Sequence, residues 1–209
     1  MYRLPVDCLD EIFEHLEEDK INLRSCLLVN CLWCEVSVRI LWRRIRNFNT
    51  LIACLPDESK EILSKNGIII STSKSPMFSY ASFCKVLSVY QVSSGIKKLL
   101  KNQQFISPQD LNDNLSVVTQ EIFKFLTTQI SLRELQFYST TELLQTQNLA
   151  FPVTSDCLKN LSELYCNSDV DPEFFYQLSQ ICRNIQSLNI EFKKVISNGL
   201  ADLISVQQN

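Results

Sequence analysis

The sequence predicts an α/β chain: three short helices over residues 1–48, a connecting segment over 49–82, and irregular strand–helix repeats over 83–209. Two observations carry this prediction. The N-terminal residues place apolar side chains at helical spacing with polar residues between them. The C-terminal part returns three times to the pattern apolar-x-x-apolar-x-apolar, each time after or before a helix-like stretch.

Pro5 suits the first turn of a helix, where its missing N–H costs nothing, and Asp7 complements the helix dipole there. Leu9, Ile12, Phe13 and Leu16 form one apolar stripe, and Asp10, Glu11, Glu14 and Glu17 make the other face acidic. A second helix carries Leu23, Cys26 and Leu27. Asn30 reads as the N-cap of a third, expected to run to about Ile45. That helix is apolar on two sides, Trp33, Val36, Ile40 and Leu41 on one and Val38, Trp42 and Ile45 on the other, so it is expected between two partners. A module of this size is marginal without further contacts.

In the connecting segment a helix is expected near Asp57 to Lys65, ended by Gly67, and Ser71 to Pro76 reads as a loop. The repeats follow at Leu132/Leu135/Phe137, Leu161/Leu164/Cys166 and Ile185/Leu188/Ile190, spaced by 29 and 24 residues, within the leucine-rich-repeat range. An earlier unit can be framed as Cys84/Leu87/Val89 or as Leu87/Tyr90/Val92. Pro172 opens a helix with Phe174, Phe175, Leu178, Ile181 and Cys182 on one face. Gly199 to Gln208 reads as a last helix with Leu200, Leu203 and Ile204 together. No strand or capping unit follows it, so the last interface is expected to be exposed.

Composition and motifs argue against catalysis. The charge of −3 gives no basic excess to steer the chain onto nucleic acid or an anionic membrane, and no apolar run approaches a membrane span. Three scattered glycines, Gly67, Gly95 and Gly199, exclude the clustered-glycine phosphate loops. The single histidine, His15, lies in an acidic helix, and the carboxylates beside it are on a solvated face rather than desolvated for acid–base work. Cys31 and Cys34 have the spacing of half a zinc site, but no second half follows. Nine cysteines of irregular spacing, with no secretory signal, read as reduced thiols that mostly pack. Arg39, Arg43, Arg44 and Arg46 suit the end of a helix. No catalytic residue, metal or cofactor is expected.

Leu4-Pro5, Asp7, Leu9, Ile12 and Leu16, then Leu23, Cys26-Leu27-Leu28-Val29-Asn30, Trp33 and Leu41-Trp42, resemble an F-box, the adaptor-binding motif of cullin-RING ubiquitin-ligase receptors. Cys31 stands where that family usually has a basic residue. The later units, best seen in Leu178, Cys182, Ile185, Leu188 and Ile190, are similar to the cysteine-containing leucine-rich repeats that often follow an F-box. The resemblance implies a non-catalytic substrate receptor, cytoplasmic or nuclear. A Skp-type adaptor, and through it a cullin scaffold, would be held by Leu4, Pro5, Leu9, Ile12, Leu28, Val29 and Trp33. A target protein would meet the repeat strands, where side-chain alternation puts Tyr165 and Asn189 opposite the buried Leu164 and Leu188. The alternatives are a truncated or ligase-independent interaction protein, an enzyme using Cys31 and Cys34, and a nucleic-acid binder using the arginines.

Overall fold

The computed structural model describes residues 4–69, 76–102, 110–138, 155–168, 170–193 and 198–207, and the following applies to these. The chain is α/β, with a four-stranded parallel sheet in the order β1-β2-β3-β4. The N-terminal helices are α1 (Val6–Glu14), α2 (Lys20–Cys26) and α3 (Cys31–Leu41). Leu9, Phe13, Leu23, Cys26, Val36 and Ile40 form their own small core, with the Trp33 ring edge-on to Phe13 at 5.0 Å. The caps follow the local chemistry: the Asp19 side chain accepts the Asn22 N–H, and Asn30 accepts the Trp33 N–H at 3.0 Å.

Helix α3 stops at Leu41, four residues before the expected end. The backbone leaves the helix at Trp42, and Arg44 makes a parallel bridge to Val86 of β1 (Val86–Ser88). Tertiary pairing has overridden the helical periodicity of Trp42 and Ile45. The second apolar side is nonetheless used, in part beyond the helix: Val38 of α3 is buried, Ile45 joins the main core, and the Trp42 ring packs 4.5 Å from Tyr80 in the 3-10 turn Tyr80–Phe83.

Between this junction and β1 lie α4 (Phe48–Ala53) and α5 (Asp57–Lys65). Helix α5 has the bounds expected from sequence, and Gly67, at φ 75°, supplies the left-handed turn that ends it. The expected loop, Ser71 to Pro76, lies outside the described residues except for Pro76. After β1 come α6 (Val89–Lys101), α7 (Asp110–Gln129), β2 (Glu134–Phe137), α8 (Ser155–Leu158), β3 (Glu163–Asn167), α9 (Pro172–Ile181), β4 (Ser187–Glu191) and α10 (Asn198–Ser205). Gly95 of α6 lies so close to the Phe48 ring of α4 that a Cβ would sit 2.0 Å from it, which accounts for a glycine inside a helix.

The register settles the frame of the first unit. Leu87 pairs with Leu135, Leu135 with Leu164 and Leu164 with Leu188, so Cys84/Leu87/Val89 is the correct reading. One backbone motif recurs beneath this register. The Arg43 carbonyl accepts N–H groups from Lys85 and Val86, both at 2.9 Å. The Lys85 carbonyl accepts from Arg133 and Glu134, the Arg133 carbonyl from Ser162 and Glu163, and the Ser162 carbonyl from Gln186 and Ser187. Trp42-Arg43-Arg44-Ile45 therefore occupies the same place as the start of each later unit, and Ile45 takes the place of Leu87.

Two expectations for the last unit are corrected. Leu188 is half-buried where full burial was expected, because β4 is the edge of the sheet and no further strand pairs with it among the described residues. Ile204 is exposed although Leu200 and Leu203 are buried, because α10 presents a narrower face to α9 than its composition suggests. The end is also less bare than expected. The Gln207 side chain accepts the Ile185 N–H at 2.8 Å and donates to the carbonyls of Cys182 at 3.0 Å and Leu203 at 2.8 Å.

The difference in burial has a measurable consequence. In urea denaturation, Leu164→Ala should cost about 2–5 kcal/mol, Leu188→Ala about 1 kcal/mol, and Asn189→Ala about half a kcal/mol or less. Equal losses at Leu164 and Leu188 would contradict the edge position of β4.

Candidate functional site

Two surfaces stand out, one on the helical bundle and one on the sheet. On the bundle, α1 turns Leu9 and Phe13 inward, which leaves Ile12 and Val6 on its outer side, with Leu4 and Pro5 exposed just ahead of it. The α2–α3 connection carries Leu28, 89% exposed, and Val29, 55% exposed, and Ile21 of α2 is exposed as well. Among the described residues, six of the thirteen exposed large hydrophobic side chains thus fall between Leu4 and Val29. Val6 and Ile21 were not among the residues singled out from sequence; their position on the side of α1 and α2 away from Leu9, Phe13 and Leu23 is the signal that finds them.

The seven residues assigned to an adaptor contact divide in two. Leu4, Pro5, Ile12, Leu28 and Val29 are exposed. Leu9 is 2% exposed and belongs to the bundle core, and Trp33 is half-buried against Phe13. Leu9 is therefore corrected to a packing role, since a side chain filling the bundle interior cannot also be offered to a partner.

On the sheet, Leu87, Leu135 and Leu164 point into the core, and the residues between them form the opposite face. One row runs Val86, Glu134, Glu163, Ser187 and the next runs Ser88, Gln136, Tyr165, Asn189. Asn189 is exposed as expected. Tyr165 is half-buried, and its hydroxyl donates to Glu163 at 3.4 Å. The charges of Glu163 and Glu134 raise the phenol above its ordinary range, since a second negative charge beside them is disfavoured.

Bundle and sheet meet across a cleft of about 820 Å³ lined by Asp10, Arg39, Lys85 and a set of ion pairs. The Arg43 guanidinium pairs with Glu14 and, at 3.1 Å, with Glu17, so the acidic face of α1 is partly spent on holding the chain that leaves α3. Arg44 reaches over Val86 to Glu134 at 3.2 Å, and Gln136 donates to the other Glu134 oxygen at 2.5 Å. Arg43 and Arg44 thus have defined carboxylate partners rather than forming a basic patch, as neither helix-dipole nor nucleic-acid arguments anticipated.

His15 is exposed at the end of α1. All nine cysteines are free thiols, with Cys31 exposed and Cys34 half-buried in the first turn of α3. No group of three or more metal-ligating side chains occurs among the described residues, and none of the described helices is long and apolar enough to cross a membrane. No family model, characterised protein or solved structure matches this chain.

Burial separates the thiols chemically. The apolar surroundings of Cys84, Cys166 and Cys182 push each thiol up to about 12, because the thiolate loses its hydration there. In native titration with an aromatic disulfide near neutral pH, Cys8 and Cys31 should react and these three should stay silent until the chain is unfolded. Since the folded thiols sit above the unfolded value of 9.0, their contribution to stability is complete below about pH 9 and is lost progressively as pH rises towards 12. A melting temperature that rises between pH 9 and 11 would contradict this assignment.

Proposed function

We propose that this chain is a substrate receptor of the cullin-RING ubiquitin-ligase type, with an F-box bundle that docks a Skp-type adaptor and leucine-rich-repeat-like strands that hold a target protein. It performs no chemistry of its own, and ubiquitin transfer belongs to other subunits. The observation that carries the reading is the apolar surface of the bundle. Leu4, Ile12, Leu28 and Val29 belong to the F-box-like pattern, and all four are exposed while Leu9, Leu23 and Cys26 of the same pattern are buried in the bundle core. Covering a large apolar side chain is worth roughly 1.5–3 kcal/mol, so a partner that covers these gains substantially. Apolar helices of an adaptor suit that surface, and its concentration in one small module is what marks an interaction site.

The sheet supports the second half of the reading. Its buried rows carry the core, so the opposite rows are free to vary with the target. The pairing of Arg43 and Arg44 with carboxylates weighs against a nucleic-acid role.

In a pull-down or calorimetric titration with a recombinant Skp-type adaptor, the chain should bind at micromolar concentration. Leu28→Ala with Val29→Ala, and separately Leu4→Ala with Pro5→Ala, should weaken binding by about tenfold or more with little change in melting temperature. Leu9→Ala should instead destabilise the bundle by about 2–5 kcal/mol. Absence of adaptor binding by the folded wild-type chain would defeat the proposal.

A further inference from the structure

The sheet face carries a more specific statement about its partner, which rests on the receptor reading above. Ser88, Gln136, Tyr165 and Asn189 are register partners on four adjacent strands, on the side of the sheet opposite Leu87, Leu135, Leu164 and Leu188. With strands about 4.8 Å apart, the row spans about 14 Å, the length of four or five residues of extended peptide.

The row is uncharged and holds unused hydrogen-bonding capacity. Among the described residues the Asn189 amide has no partner, and the Gln136 carbonyl oxygen accepts nothing while its NH₂ donates to Glu134. The Ser88 oxygen accepts the Gln91 N–H, which leaves its hydroxyl proton available, and the Tyr165 oxygen keeps its lone pairs while donating to Glu163. The carboxylates beside the row are already matched, and Lys85, at the position that corresponds to Arg133, donates to the Ser131 carbonyl at 3.4 Å. Glu134 is held by Arg44 at 3.2 Å and Glu163 faces Arg133 at 3.8 Å, while beyond the row Glu191 pairs with Lys193 at 2.5 Å. A charged ligand group at this row would have to separate one of these pairs to find a counter-charge, whereas a neutral amide or hydroxyl finds a partner at once.

We infer that this face takes an extended, uncharged polar segment of the target, about four or five residues long, bound across the strands by amide and hydroxyl hydrogen bonds from Ser88, Gln136, Tyr165 and Asn189. Affinity then depends little on ionic strength, and charged residues in the segment are selected against by the ion pairs that flank the row.

The full chain can be panned against three phage-displayed random-peptide libraries, one lacking charged residues, one acidic and one basic, and the selected peptides measured by fluorescence anisotropy. The uncharged library should enrich. Its peptides should change affinity by less than about twofold between about 50 and 500 mM salt. They should bind Gln136→Ala/Asn189→Ala about tenfold more weakly or worse. Asn189→Lys, a change at an exposed edge position, should produce a similar loss and serves if the double variant does not fold. Enrichment from a charged library with strong salt dependence, no enrichment at all, or uncharged peptides that ignore the substitutions would each overturn the inference. If the same preparation binds the adaptor while any of these occurs, the inference fails alone; if it folds and ignores the adaptor, the receptor reading fails.

Discussion

A single carbonyl oxygen accepting two successive N–H groups from the next strand is the interaction on which this architecture depends. It occurs at Arg43, Lys85, Arg133 and Ser162, each time two residues before the start of the aliphatic row or its equivalent. Because both N–H groups are engaged, the next strand has no freedom to slip, and a one-residue slip would turn every buried leucine to the opposite face. Ile45, Leu87, Leu135 and Leu164 consequently stack in one core, although the intervals between them run from 29 to 48 residues. The long intervals are absorbed by extra helices, α4 and α5 before β1 and a pair, α6 and α7, before β2.

The same interaction decides how the bundle and the sheet are joined. Were α3 to continue to Ile45, the bundle would end on a free helix and its orientation would be loose. Instead the main chain of Arg43 enters the ladder while its side chain remains with Glu14 and Glu17 of the bundle. Arg44 then fixes the next position to Glu134 of β2, and Trp42 rests on Tyr80. These are partly exposed ion pairs, each worth roughly 0–1 kcal/mol, so the backbone hydrogen bonds and the burial of Ile45 carry most of the attachment. The exposed apolar surface of the bundle and the polar row of the sheet are held at a set separation by consecutive residues.

Much of this was legible in the sequence, for identifiable reasons. The N-termini of helix α5 and helix α9 are legible because Pro56-Asp57 and Asp171-Pro172 are local start signals, and Asn30 is legible as a cap because its side chain acts on its own third neighbour. The three later strands were found because their aliphatic spacing repeats. The junction was missed because Trp42 and Ile45 satisfy a helical stripe and a strand unit equally well, and only pairing with residues some forty positions away distinguishes them. Of the candidate contact residues, Leu9 could not be told from Ile12 by residue type; the division between core and surface depends on where α2 and α3 pack against α1. The half-burial of Leu188 likewise depends on what lies beyond β4, which no local pattern contains.

Gln207 does with one side chain what a neighbouring strand or turn does elsewhere in the fold. A primary carboxamide has the donor and acceptor make-up of a peptide group, and here one side chain meets the Ile185 N–H and the Cys182 and Leu203 carbonyls as a neighbouring main chain would. The last described unit is thereby latched by a group that hydrolysis converts to a carboxylate. Deamidation at this residue would set a negative oxygen against two carbonyl oxygens and remove both donors at once. Chemical ageing of one amide would thus loosen the end of α10 from the α9–β4 connection without touching a single buried leucine.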